Sequence, residues 1–234
     1  MSGFKLAIDG PAGSGKSTIS KLIAERLGWT HIDTGAMYRA VTLEAIELGI
    51  DLEQESSYLF LESIYIHYDN NKIFINDRDV TEDIRKNKVT NNVSLVSSFP
   101  YVRKKMVELQ KNAAKKGNII MDGRDIGTVV LPNADLKIFL TAHLEERAKR
   151  RYKETITKGK QANINQLIED IETRDIKDST RKESPLRKAD DAIELDTTDL
   201  NIDQVVEAII SKIPKQYSKL DDLVNIELTA KKEI

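Results

Sequence analysis

Apolar residues between Phe4 and Asp9 form a short continuous run, which a glycine-rich stretch separates from a helical period. Ile19, Leu22, Ile23 and Leu27 recur at three- and four-residue steps, predicting a helix over about Lys16 to Leu27. Thr30 to Asp33 reads as a second short strand. Gly35 to Leu48 reads as a second helix with Met37, Val41, Ala45 and Leu48 along one stripe. Alternation of this kind predicts an α/β fold around a parallel sheet.

The period then changes. Ser63 to Tyr68 and Lys72 to Asn76 alternate apolar and polar around Asp69-Asn70-Asn71, the pattern of a β-hairpin inserted at about residues 58–95. Helices are predicted at 82–97 and 101–116, the second stopped by Lys115-Lys116-Gly117. Strands follow at Asn118–Asp122 and Asp135–Thr141, then a helix at 143–157 that runs into Lys158-Gly159-Lys160. A helix from Asn165, a strand at Asp190–Leu195 and a helix at Ile202–Ile213 complete a count of five core strands. The stretch after Pro214 reads as a polar tail.

At 234 residues the chain can bury roughly 70% of its unfolded surface, so a core forms without cross-links. The sequence has no cysteine, which excludes thiolate metal sites and cysteine nucleophiles, and its three histidines lie far apart. Lys and Arg number 36 against 38 Asp and Glu, a balance of −2 that argues against a general nucleic-acid binder. No apolar run approaches the ~18 residues of a membrane span, and the first residues lack the pattern of a secretory signal. A soluble cytoplasmic protein with neither membrane nor nucleic-acid partners is the expectation.

Gly10-Pro11-Ala12-Gly13-Ser14-Gly15-Lys16-Ser17, with Thr18 after it, matches the phosphate-binding loop G-x-x-x-x-G-K-[ST] between a strand and a helix. Glycines let backbone N–H groups face phosphate oxygens, and the helix N-terminus adds partial positive charge. Lys16 is expected on the β- and γ-phosphates of ATP and the Ser17 hydroxyl on Mg²⁺. The loop leaves the acceptor open among water, a protein and a small molecule. A guanine-reading Asn-Lys-x-Asp segment is missing, since Asn87-Lys88-Val89-Thr90 lacks the aspartate.

Arginines narrow the choice. Asp33-Thr34-Gly35-Ala36-Met37-Tyr38-Arg39 and Asp122-Gly123-Arg124-Asp125 each follow a strand end, where open α/β sheets bind ligands. Leu167, Ile171, Arg174, Asp178 and Arg181 follow one helical stripe that begins apolar and ends charged. Arg147, Arg150 and Arg151 share a helix face before the segment Thr157–Gln161 and read as a mobile lid bringing charge onto phosphates. Several arginines around one such loop suggest two phosphorylated ligands.

At these residues the chain resembles the bacterial cytidylate kinases (CMP/dCMP kinases), which are nucleoside monophosphate kinases, over nearly all of Lys5 to Ile213. The resemblance rests on Asp9-Gly10-Pro11, Asp33 to Arg39, Asp122-Gly123-Arg124-Asp125-Ile126-Gly127-Thr128-Val129-Val130, and Arg174-Asp175 with Arg181. It implies one domain over 1–213: a five-stranded parallel core with helices on both faces (1–57, 96–156 and 165–213), an acceptor-binding insert at about 58–95 that holds the small antiparallel sheet, and a lid at about 147–164. Residues 214–234 remain a tail without a role.

The resemblance further implies that Arg39 and Arg124 hold the CMP phosphate, and that Ser94, Arg103 and Asp125 read the cytosine edge. Arg174 and Asp178 match sugar contacts and Arg181 a phosphate contact. Thr34 keeps the hydroxyl that many relatives carry as serine, Tyr38 packs near the base, and Asp122 joins the CMP site. Lys16, Arg124 and Arg181 are the expected catalytic residues, in ATP- and Mg²⁺-dependent phosphorylation of CMP or dCMP by a monomer. Another small-molecule kinase, or an ATP-dependent binding module, is the alternative.

Overall fold

In the computed structural model, which describes residues 3–69 and 72–218, the first apolar run is strand β1 (Lys5–Asp9). Helix α1 (Lys16–Leu27), strand β2 (Thr30–Asp33) and helix α2 (Thr34–Glu47) follow. A small sheet comes next, built from β3 (Ile66–Asp69), β4 (Lys72–Ile75) and β5 (Arg78–Asp79). Helices α3 (Asn87–Val96) and α4 (Pro100–Ala113) lead back to strands β6 (Ile119–Gly123) and β7 (Leu136–Thr141). Helices α5 (Leu144–Thr157) and α6 (Ile164–Thr180), strand β8 (Ile193–Asp196) and helix α7 (Ile202–Ile210) end the described chain.

Five strands form one parallel sheet in the order β2-β6-β1-β7-β8. Helices on both faces explain why β1 and β6 read as unbroken apolar runs. Leu6, Ile8, Ile120 and Ile138 pack with Ile19, Ile23 and Leu27 of α1 and with Val206 and Ile209 of α7. On the other face, Ala7, Ile32 and Met121 pack with Met37 and Val41 of α2 and with Val102 and Met106 of α4. A third cluster joins Ala12 of the glycine-rich loop to Ala148 of α5 and Ile171 of α6.

The small sheet is antiparallel, in the order β3-β4-β5. The expected hairpin pairs as Ile66↔Ile75 and Asp69↔Lys72; Asn70 and Asn71 of its turn lie outside the described residues. A second turn at Asn76-Asp77, with Asn76 at φ 53°, adds the short strand β5, which sequence reasoning missed. Buried Ile73 and Ile75 seat this sheet on the α2 side of the core.

Several boundaries differ from the sequence reading; α4 ends at Ala113 rather than 116, and β3 begins at Ile66 rather than Ser63. The helix expected at 82–97 is a short 3-10 turn at Asp83–Arg85 and then α3, broken by the extended backbone of Lys86. Ile84 and Val89 are both buried, and five residues apart they cannot share one face of a continuous helix. The last strand begins at Ile193, because a turn closes at Ala189–Ala192 and Asp191 pairs with Lys137 at 2.8 Å. Helix α7 stops at Ile210. Of the tail, residues 214–218 are described, and Tyr217 packs on Phe4 with ring centroids 5.0 Å apart; residues 219–234 lie outside the description.

Gly10 joins β1 to the loop at φ 151°, and a Cβ there would stand 2.1 Å from the Leu140 carbonyl oxygen of β7. Gly10→Ala therefore combines backbone strain with a clash that the parallel sheet cannot relieve, costing about 2–5 kcal/mol. Calorimetry should show a melting temperature lower by roughly 10 °C. An unchanged melting temperature would mean that the β1–β7 pairing yields locally.

Candidate active site

The loop after β1 closes around its own lysine. Gly13 and Gly15 sit at φ 75° and 92°, conformations a side chain would strain, and Gly15 precedes α1 without a side-chain cap. The first-turn N–H groups of α1 are thus left for an anion. Lys16 is buried, and its Nζ donates to the Pro11 carbonyl at 2.7 Å and to Ser14 Oγ at 3.2 Å. Burial, reinforced by the nearby Arg124 charge, pulls its pKa well below the ordinary lysine range, with Asp122 and Asp9 opposing.

Strand β6 carries Asp122 to the same edge. Ser17 Oγ donates to Asp122 Oδ2 at 2.7 Å, and His31 Nε2 lies 2.6 Å from Asp122 Oδ1. Thr34 donates its hydroxyl to the Asp122 carbonyl at 2.8 Å. Burial lowers the His31 pKa, but the hydrogen bond and charge of Asp122 outweigh it and hold it above the usual value. Asp122 thus faces the phosphate loop directly, on the Ser17 side of the site expected for CMP. On β1, Asp9 accepts from the backbone N–H groups of Ile126 at 2.8 Å and Gly127 at 2.7 Å. Burial nevertheless pushes its carboxyl up to about 6.

Five further arginines each stand against a carboxylate. Arg39 pairs with Asp33 at 2.9 Å, and Asp33 also caps α2 through the Ala36 N–H at 2.9 Å. Arg124 Nε donates to Asp178 at 2.8 Å, with Arg174 Nε 3.9 Å from the same oxygen. Arg103 pairs with Asp125 and lies 5.3 Å from the Tyr38 ring centroid, while Arg181 is 3.5 Å from the other Asp125 oxygen. Arg103 also donates to the Ser97 carbonyl at 3.1 Å, and Ser97 Oγ donates to the Ser94 carbonyl at 3.2 Å.

Positive charge is concentrated enough to register on its members. Burial and then Arg124 bring Arg174 down to about 10, and burial and then Arg103 lower Arg181. Arg124 moves the other way, because the Asp178 carboxylate outweighs its burial. The Nε groups of Arg39, Arg103 and Arg174 are buried without a hydrogen-bond partner, as are Ser20 Oγ, His67 Nδ1, Gln110 Nε2 and Thr128 Oγ1. Buried polar groups in folded proteins are normally paired.

The three helix-face arginines take separate positions. Arg147 is buried and donates to the carbonyls of Ala142 at 3.0 Å and Ala12 at 2.9 Å, and it pairs with Asp175. Asp175 in turn accepts from the Ala12 N–H at 3.0 Å, so this pair clamps the phosphate loop to α6. Arg150 donates to the hydroxyl and carbonyl of Thr197 at the end of β8, at 3.0 and 2.5 Å. Only Arg151 is exposed, pairing with Glu154 at 3.1 Å. Arg147 and Arg150 thus direct their donors mainly at backbone carbonyls, while Arg151 stands at the surface.

Sequence reasoning missed His31, which it treated as a scattered histidine, and gave Asp175 no role beside its neighbour Arg174. It also missed Tyr68 of β3, whose hydroxyl donates to the Asp33 carbonyl at 2.6 Å and ties the small sheet to the arginine cluster. The hairpin pattern located that tyrosine without showing what it reaches.

The cytidylate kinase family model matches residues 6–215. A cytidylate kinase of Acholeplasma laidlawii (strain PG-8A) is 61% identical over 213 residues, 91% of this chain and 96% of the relative. One from Streptococcus pneumoniae (strain 70585) is 50% identical over 223 residues, 92% of this chain and all of the relative. With family model, sequence relatives and a parallel sheet bearing the phosphate loop in agreement, the chain belongs to the cytidylate kinase family.

Proposed function

We propose that the chain transfers the γ-phosphoryl group of ATP to CMP or dCMP, giving ADP and CDP or dCDP. The observation that carries this reading is the meeting, at one sheet edge, of the phosphate loop with Arg39, Arg103, Arg124, Arg174 and Arg181, spaced by Asp33, Asp125 and Asp178. The loop accounts for one polyphosphate. The arginines supply donors for a second, smaller phosphate ester.

In this reading a CMP phosphate oxygen attacks the γ-phosphorus in line. The new P–O bond forms as the bond to the bridging β–γ oxygen breaks, and ADP leaves with that electron pair. A monophosphate is largely ionised at neutral pH, so no general base is required. Catalysis is positioning together with charge neutralisation by Lys16, Arg124 and Arg181. Arg39 and Arg124 hold the acceptor phosphate, while Arg174 and Asp178 meet the sugar.

Mg²⁺, when bound with the nucleotide, supplies charge neutralisation at the β- and γ-phosphates. The residues present fit it: Ser17 Oγ and Asp122 Oδ2 are hard oxygen donors 2.7 Å apart beside the loop. Among the described residues no cluster of three or more acidic or histidine side chains is built to hold a metal unaided. Ser17 and Asp122 would hold a cation that arrives with the nucleotide.

For the base, Asp125 and Arg103 combine an acceptor with donors, the set that cytosine's exocyclic amine, N3 and O2 require. Tyr38 lies against Arg103 as one wall, and Ser94 adds a hydroxyl. The connection between α5 and α6, with exposed Arg151 at its approach, is the proposed lid. The enzyme is proposed to act as a monomer.

Arg124→Ala should lower kcat/KM for CMP roughly 10²–10³-fold while ATP binding, followed by calorimetry, stays close to wild type. Near-wild-type turnover would place the acceptor phosphate elsewhere. Asp125→Asn should cost about 1–3 kcal/mol in kcat/KM for CMP and less for UMP, narrowing the preference between them. Equal losses for the two nucleotides would remove Asp125 from base recognition.

A further inference from the structure

We propose that His31 is a positioning residue for Asp122, holding that carboxylate so that its second oxygen faces Ser17 and the nucleotide-borne divalent cation. The proposal deepens the phosphoryl-transfer reading and rests on it.

Strands β2 and β6 run in parallel register, with His31 opposite Ile120 and Asp33 opposite Asp122. His31 therefore points to the same sheet face as Asp122, two residues further along the neighbouring strand. That is the face on which α1 begins with Lys16 and Ser17, and Ile120 packs there against α1. The imidazole spans the diagonal and meets Asp122 Oδ1 at 2.6 Å, leaving Oδ2 on Ser17 Oγ at 2.7 Å.

A carboxylate on a strand turns readily about its terminal torsion, which has a broad, roughly two-fold profile. Here both oxygens and the main-chain carbonyl are engaged, by His31, Ser17 and Thr34 respectively. Of these contacts, the one to Ser17 is the one a cation would enter, since the hydroxyl must turn its lone pair towards it. The other two then fix where Oδ2 stands. Thr34 fixes the strand end, and among the described residues His31 fixes the rotation of the carboxyl group.

A histidine that only filled the sheet edge would contribute to stability and nothing else. Groups that orient a metal-binding carboxylate are worth roughly 10–100-fold in metal affinity. The two roles separate in a binding ratio that requires no turnover: the affinity for ADP with Mn²⁺ over the affinity for ADP in EDTA, by titration calorimetry. His31→Leu should cut this ratio roughly 10-fold or more. Its affinity for metal-free ADP and for CMP should stay at wild-type level. His31→Asn, too short to reach Asp122 Oδ1, should behave alike and carries the test if the leucine variant does not fold. His31→Gln places an amide donor near the position of Nε2 and should restore most of the ratio.

An unchanged ratio in the leucine or asparagine variant overturns the proposal, even if the melting temperature falls. So does an equal loss of ADP affinity with and without metal. A wild-type protein that fails to phosphorylate CMP would instead overturn the functional reading, and that outcome is scored in a separate assay from the ADP ratio.

Discussion

Like charges repel hardest where water is scarce, and this molecule places Lys16, Arg39, Arg103, Arg124, Arg174 and Arg181 along one edge of its sheet. Lys16 and Arg174 have lowered pKa values, through burial first and then through Arg124. Such a cluster survives in a folded chain only if carboxylates stand between the cations. Asp33, Asp122, Asp125 and Asp178 do so, and each is carried on the sheet edge or on α6. Removing one partner of a buried pair leaves an uncompensated charge. The spacing carboxylates are therefore as necessary to the site as the arginines.

The topology makes this possible. Placing β1 at the centre, with β6 on one side and β7 on the other, brings the ends of β1, β2 and β6 to one edge. The phosphate loop, Asp33 and Asp122 then arrive together, though they are far apart in the chain. Helix α6 reaches the same edge twice. Its Asp175 secures the loop through Ala12 and Arg147, and its Asp178 meets Arg124 three residues on. Tyr68 brings the small sheet to Asp33. Loop, arginine cluster and small sheet are thus joined by side-chain hydrogen bonds as well as by packing.

Much of this was legible in the sequence, for identifiable reasons. The five strands and their helices carry strong periodic signals, because a parallel sheet buried on both faces demands unbroken apolar runs. The arginine-bearing motifs lay directly after strand ends, so the sheet edge followed from the strands. What the period could not show was partnership. Arg147 and Arg151 lie on one helix face, yet one clamps the loop and the other pairs on the surface, because only Arg147 packs under Ala12. The break at Lys86 escaped notice because Ile84 and Val89 each look helical when taken separately. His31 escaped because its partner lies 91 residues away on another strand.

The central claim is that these paired charges are arranged for a cytidine monophosphate beside ATP. Initial rates with CMP, dCMP, UMP and AMP, at fixed ATP and Mg²⁺, test it most directly. CMP and dCMP should be the best acceptors, and UMP weaker by roughly 5–150-fold, as a mismatched buried amine site of about 1–3 kcal/mol requires. A preference for AMP, or ATP consumption with no nucleoside diphosphate formed from CMP, would contradict it.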